Sequence, residues 1–103
     1  MKGMHEMVRQ AQVMQRKIAE TQEKLKAREV EASAGGGMVV VTANGGQEIV
    51  KVAIDPSVVE AGDVEMIEDL VLAAANEALK KSREMMQAEM GQITGGLSIP
   101  GLF

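Results

Sequence analysis

The chain has 103 residues and a single aromatic side chain, Phe103, so its core must be built from Val, Ile, Leu, Ala and nine Met. It has no cysteine, which excludes disulfide frameworks and thiolate metal sites. The net charge of −4 argues against a uniformly basic nucleic-acid binder. The charge is uneven, however. Residues 1–34 hold seven Lys/Arg against five Asp/Glu, and residues 35–103 hold four against ten. Any contact with phosphate is therefore expected from the N-terminal third.

A chain of this length makes one domain and buries only about 60–65% of its unfolded surface, so a partner subunit would add needed burial. Met1 to Glu6 contain no apolar h-region, and no run approaches the roughly 20 apolar residues of a membrane span. The expectation is a reducing, cytoplasmic setting with no membrane partner.

Residues 4–27 contain neither Pro nor Gly. Met4, Ala11, Ile18 and Leu25 recur every seven residues, and Met7, Met14 and Thr21 form a second line three residues on. This a/d spacing predicts a long helix over 1–28, projecting or paired through its seam. The period then falls from seven to two, predicting a β-meander over 29–55. Val30, Ala32 and Ala34 alternate with polar residues, Gly35-Gly36-Gly37 makes a turn, and 38–43 is β-branched with apolar residues on both faces. Asn44-Gly45 is a short hairpin signal, and Glu48 to Ile54 is a third strand with Val50, Val52 and Ile54 on one face. Such a sheet asks for cover on both sides. Asp63 is the expected N-cap of a second long helix over 63–90, with Gly91 as its stop. Ile67, Val71, Ala74, Ala75, Ala78 and Met85 line one side of it, and its alanines allow close backbone approach. Residues 91–103 form an apolar tail broken by Gly and Pro.

Little here suggests catalysis. His5 is the one histidine and has no partners in the sequence for acid–base or metal work. Glu65, Glu68 and Asp69 sit where acids complement a helix dipole. The glycine triplet lacks the Lys-Ser/Thr ending and following helix of a phosphate loop. No catalytic residue, metal, cofactor or small-molecule substrate is therefore expected. The basic residues are more telling. Lys2, Arg9 and Arg16 share one heptad position and Lys17 and Lys24 another, both away from the seam. Lys80, Lys81 and Arg83 form a second basic spot. With no aromatic side chain to stack on bases, a stacking type of single-strand readout is disfavoured.

Several segments, in order, resemble the YbaB/EbfC family of nucleoid-associated proteins. They are Gln10-Ala11-Gln12-Val13-Met14-Gln15-Arg16-Lys17, Val30 to Gly37, Val39 to Gly45, Ile54-Asp55-Pro56, Glu68 to Ala78, and the Gly-Gly-Leu-x-Ile-Pro-Gly ending. The resemblance implies an α+β subunit of order α–β–β–β–α and a tweezer-like homodimer. It also implies double-stranded DNA binding, with roles in nucleoid organisation and gene expression. Members of that family often carry lysines where this chain has Val40 and Gly46-Gln47, so its sheet is less positive.

The expected function is a non-enzymatic, homodimeric DNA-binding protein. Phosphate contacts are assigned to Arg9, Arg16, Lys17 and Lys24, then Lys2, Lys80, Lys81 and Arg83. The subunit interface is assigned to Met7, Met14, Ile18, Val39, Val41, Ala74 and Ala78. The alternative is a prefoldin-like chaperone or coiled-coil assembly module, which would bind clients through apolar helix tips and not depend on DNA.

Overall fold

The computed structural model describes residues 2–95. Six elements follow one another: α1 (Lys2–Lys26), β1 (Glu29–Ala34), β2 (Val39–Asn44), β3 (Ile49–Ile54), α2 (Pro56–Glu60) and α3 (Val64–Thr94). The strands form one antiparallel sheet of order β1-β2-β3, as the meander pattern predicts.

Helix ends follow local chemistry. Lys24 and Lys26 lie in the last turn of α1, where cations complement the dipole. Asp55 caps α2, with Pro56 entering its first turn. Asp63 caps α3 by accepting a hydrogen bond from the Met66 N–H at 3.0 Å. The expected stop at Gly91 is corrected. A single glycine costs a helix only about 1 kcal/mol, and Met90 and Ile93, on either side of it, pack toward α1. The helix ends instead at Gly95, which is left-handed at φ 66°. The first four residues of the expected tail are thus helical, and the tail beyond Gly95 lies outside the described residues.

The main core forms where α3 crosses β1 and β2. Ala32, Val39, Val41 and Ala43 meet Ala74 and Ala78, and Leu70, Val71, Ala75 and Leu79 pack around them. Small side chains on both surfaces let the helix backbone come close to the sheet. Val39, Val41, Ala74 and Ala78 are all 0% exposed within one chain. Their assignment to a subunit interface is therefore corrected: they have no surface left to offer a second copy. Ala74 and Ala78 do make the expected close approach, but to a sheet.

A second cluster joins α1 to the C-terminal half of α3. Ile18, Leu25 and Met90 are buried there, with Met14, Met85, Met86 and Ile93 around them. Met14 lines a groove with Ile93 near the end of α3, and Leu25 and Met85 flank Gly45, so the two helices run antiparallel. Ile18, 7% exposed, packs within the protomer, and the interface assignment is corrected for it too, whereas Met14 is half-buried and keeps surface in an open groove. Met7, further out, stays 71% exposed.

A β-bulge between Thr42 and Ala43 shifts the β2–β3 register. Ile49, rather than Val50, comes opposite Ala43, so Ile49, Val52 and Ile54 share the α3 side of the sheet. Yet α3 only touches β3 while it lies on β1 and β2, and cover on both faces is not achieved within one chain. Every residue of β3 is exposed. The molecule is long, 71 × 21 × 17 Å, with a radius of gyration of 19.2 Å. A compact chain of this size would have about 13 Å. α1 accounts for much of the difference, since its residues 3–13 are exposed all round.

Candidate nucleic-acid interface

α1 presents its cations on a face set by its packing. Ile18 and Leu25 mark the buried line. At about 100° per residue, Arg9 and Arg16 lie roughly opposite that line, with Lys17 and Lys24 about 100° from it. All four are exposed. Arg9 forms an ion pair with Glu6 one turn away. Among the described residues, Arg16, Lys17 and Lys24 make no ion pair. Lys2 opens the helix, and its side chain lies outside the description.

On α3 the three expected cations divide. Lys80 and Arg83 are exposed and unpaired among the described residues. Lys81 points back toward the sheet, and its Nζ donates to the Glu31 carbonyl at 2.8 Å. It therefore covers the β1 edge and reaches less freely outward. Three further cations lie outside the sequence assignment, the first being Lys26, which pairs with Glu23 at 3.3 Å on α1 itself. Arg28 bridges to Glu89 of α3 at 3.0 Å, and Lys51 stands exposed on β3 opposite Thr42. The Arg28 pair joins positions 61 apart in the chain, so no local pattern announces it.

α1 also carries Glu6, Glu20 and Glu23 against its six Lys/Arg, and the remaining acids lie outside it. Asp63, Glu65, Met66, Asp69 and Leu70 line a shallow hollow at the start of α3, the end of the molecule away from α1. α3 has 31 residues, which is about 46 Å at about 1.5 Å per residue. The Debye length at physiological salt is about 8 Å. The acidic end therefore does not cancel the field along α1, despite the net charge. Near the α1 tip an open groove of about 410 Å³ runs between the helices, with Val13, Met14 and Ile93 in it and Arg9 and Lys17 at its edge.

A family model described as the YbaB/EbfC DNA-binding family matches residues 1–97. The chain belongs to that family. Nucleoid-associated proteins of Thermoanaerobacter pseudethanolicus and Moorella thermoacetica are each 55% identical to it over 101 residues. Those matches cover 98% of this chain, and 91% and 97% of the relatives. A crystal structure of an uncharacterized protein from Helicobacter pylori superposes with a TM-score of 0.74 at 29% identity, covering 82% of this chain and 89% of that one.

As a YbaB/EbfC member, the chain carries its positive charge on helices more than on the sheet. Val40 and Gly46-Gln47 leave Lys51 as the one cation within the three strands. No helix among the described residues is long and apolar enough to cross a membrane.

Proposed function

We propose that the protein is a non-enzymatic nucleoid component that binds double-stranded DNA as a homodimer, organising the nucleoid and influencing gene expression. The observation that carries this reading is the row of exposed, unpaired cations on a projecting helix, in a chain whose family is DNA-binding. Arg16, Lys17 and Lys24, with Arg9, supply the main phosphate contacts. Lys80 and Arg83 add to them, Lys81 contributes from the β1 edge, and Lys2 extends the row. Counterion release from the neutralised phosphates provides most of the affinity.

Two copies join through β3. Its outer edge has unpaired backbone groups, and Ile49, Val50, Val52 and Ile54 are between 37% and 48% exposed. A bare apolar edge strand is a pairing surface, and a two-fold contact lets each copy cover the other. The dimer then presents the α1 row twice.

The test is a mobility-shift titration at several salt concentrations. With about four to six phosphates neutralised, log K falls against log salt with a slope of about −4 to −5. Changing Arg16 and Lys17 together to Ala should weaken binding to all duplexes alike and flatten that slope. An unchanged slope and affinity would remove α1 as the DNA face.

A second reading, the prefoldin-like chaperone or coiled-coil module, draws on Met4, Met7 and Val8, which are 62%, 71% and 56% exposed at the α1 tip. It gains the lead if the parent protein binds no duplex even at low salt.

A further inference from the structure

The turn between β2 and β3 sits at the crossing of three elements. α1 ends in a tight turn, with the Ala27 N–H bonded to the Lys24 carbonyl at 3.2 Å and the Arg28 N–H to the Leu25 carbonyl at 3.1 Å. The Gly45 N–H reaches two carbonyls of this segment, Leu25 and Arg28, at 2.9 Å each. The hairpin turn therefore caps a helix from which it is distant in sequence. On its other side the turn meets Ser82 of α3, which is 0% exposed. The Ser82 hydroxyl donates to the Asn44 carbonyl at 2.7 Å and accepts from the Gln47 N–H at 3.2 Å. Asn44 Oδ1 stiffens the turn from within, accepting from the Gly46 and Glu48 N–H groups at 2.9 and 3.1 Å.

The close fit leaves no room at Gly45. A Cβ there would lie 2.4 Å from the Leu25 carbonyl oxygen, 2.8 Å from Leu25 Cβ and 2.9 Å from Met85 Cε. The first of these neighbours is backbone, so a larger residue pushes α1 and α3 apart. Along the rest of their contact the helices meet through four methionines, Met14, Met85, Met86 and Met90, together with Ile18, Leu25 and Ile93. Methionine is unbranched and adapts to many geometries, so this stretch resists a change of angle weakly. The turn adds directional hydrogen bonds to both helices.

We propose that the Asn44–Gln47 turn is the joint that sets the angle between α1 and α3, making Gly45 and Ser82 positioning residues for DNA binding although both are buried. The proposal rests on the DNA-binding reading above. Its leverage comes from length. Arg9 lies 16 residues from Leu25, about 24 Å along the helix. A tilt of about 10° at the joint moves Arg9 by about 4 Å. That is longer than a charge-assisted hydrogen bond, about 2.7–2.9 Å, so a small error at the joint takes the outer cations out of reach of their phosphates while every cation is still present.

The experiment compares the full-length parent with Gly45→Ala and Ser82→Ala. The chain has no cysteine, so a Gln12→Cys/Gln87→Cys background takes two spin labels at exposed sites on α1 and α3. Labelled chains diluted into unlabelled protein report the distance within one protomer. Gly45→Ala should shift or broaden that distance by several Å, weaken duplex binding at least tenfold and flatten the salt slope. Binding is measured well below the melting transition, so a loss of stability alone leaves affinity and slope unchanged. Ser82→Ala, which removes volume instead of adding it, should act in the same direction and serves where Gly45→Ala fails to fold. Parental distance, affinity and slope in a folded variant would overturn the proposal. A parent that binds no duplex would overturn the functional reading and the DNA part of this one, whereas the distance measurement still judges the joint.

Discussion

Asp55 shows how much one side chain can organise. Its Oδ1 accepts from the Ser57 N–H at 2.9 Å and from the Ser57 hydroxyl at 2.8 Å, closing β3 and opening α2. These two bonds, the backbone one foremost, hold its carboxyl below the ordinary value of 3.8. A depressed folded-state pKa makes the charged form the stabilising one. The contribution is complete above pH 3.8 and disappears as pH falls through the lower folded value. Asp55→Ala should therefore melt below the parent at pH 7, and the gap should close as pH drops below 4. Thermal melts across that range check this, and a gap constant to pH 2 would mean that the carboxylate charge has no part in the cap. Gln47 is the other unusual residue, the one non-glycine with positive φ among the described residues, at 62°. The Asn44-Gly45 pair suggests a left-handed position within itself. Instead Gly45 is required by its contact with Leu25, and the positive φ falls on Gln47.

Among the elements, α3 ties the subunit together. Its N-terminal half lies on the sheet through Ala74 and Ala78, and its C-terminal half receives α1 through Met90. Ala74→Leu adds three carbon atoms where exposure is 0%. Overpacking of this kind costs about 1–3 kcal/mol. Urea denaturation should show a loss in that range, and the folded variant should self-associate like the parent. Full stability would mean that α3 does not press on β2 as described. The seam of α1 is legible only in part at this scale. Its C-terminal members Ile18 and Leu25 are buried by α3, whereas Met4 and Met7 project beyond that helix. A heptad pattern states which face is apolar and leaves open how far along it the partner runs.

The whole molecule is a rod with charge separated along its length and one uncovered strand. α3 packs mainly over β1 and β2, so the apolar side chains of β3 stay partly exposed. Placing a cation in this edge makes pairing with another sheet unfavourable. Val52→Lys should convert the proposed dimer, at micromolar concentration, into a monomer of 11.0 kDa with unchanged helical circular dichroism. Sedimentation equilibrium reads the outcome. A variant still dimeric would place the subunit contact elsewhere, with the exposed Met7 region of α1 the next surface to test.

By itself, the sequence determined the order of elements, the existence of both long helices, the three-stranded meander, the cap at Asp63 and the segregation of cations onto α1. These are local properties: hydrophobic period, glycine and proline positions, side chains that bond to the nearby backbone, and the count of charges along a segment. Apolar lines in Val39, Val41, Ala74 and Ala78 were also visible, but an apolar line carries no label for what covers it. Only the tertiary structure decided that they cover one another, that β3 is left bare, that Lys81 turns to the Glu31 carbonyl, and that Gly45 wedges between two helices. Each of those outcomes pairs groups far apart in the chain. It depends on where a 31-residue helix comes to rest on a three-stranded sheet, and no spacing within one segment encodes that position.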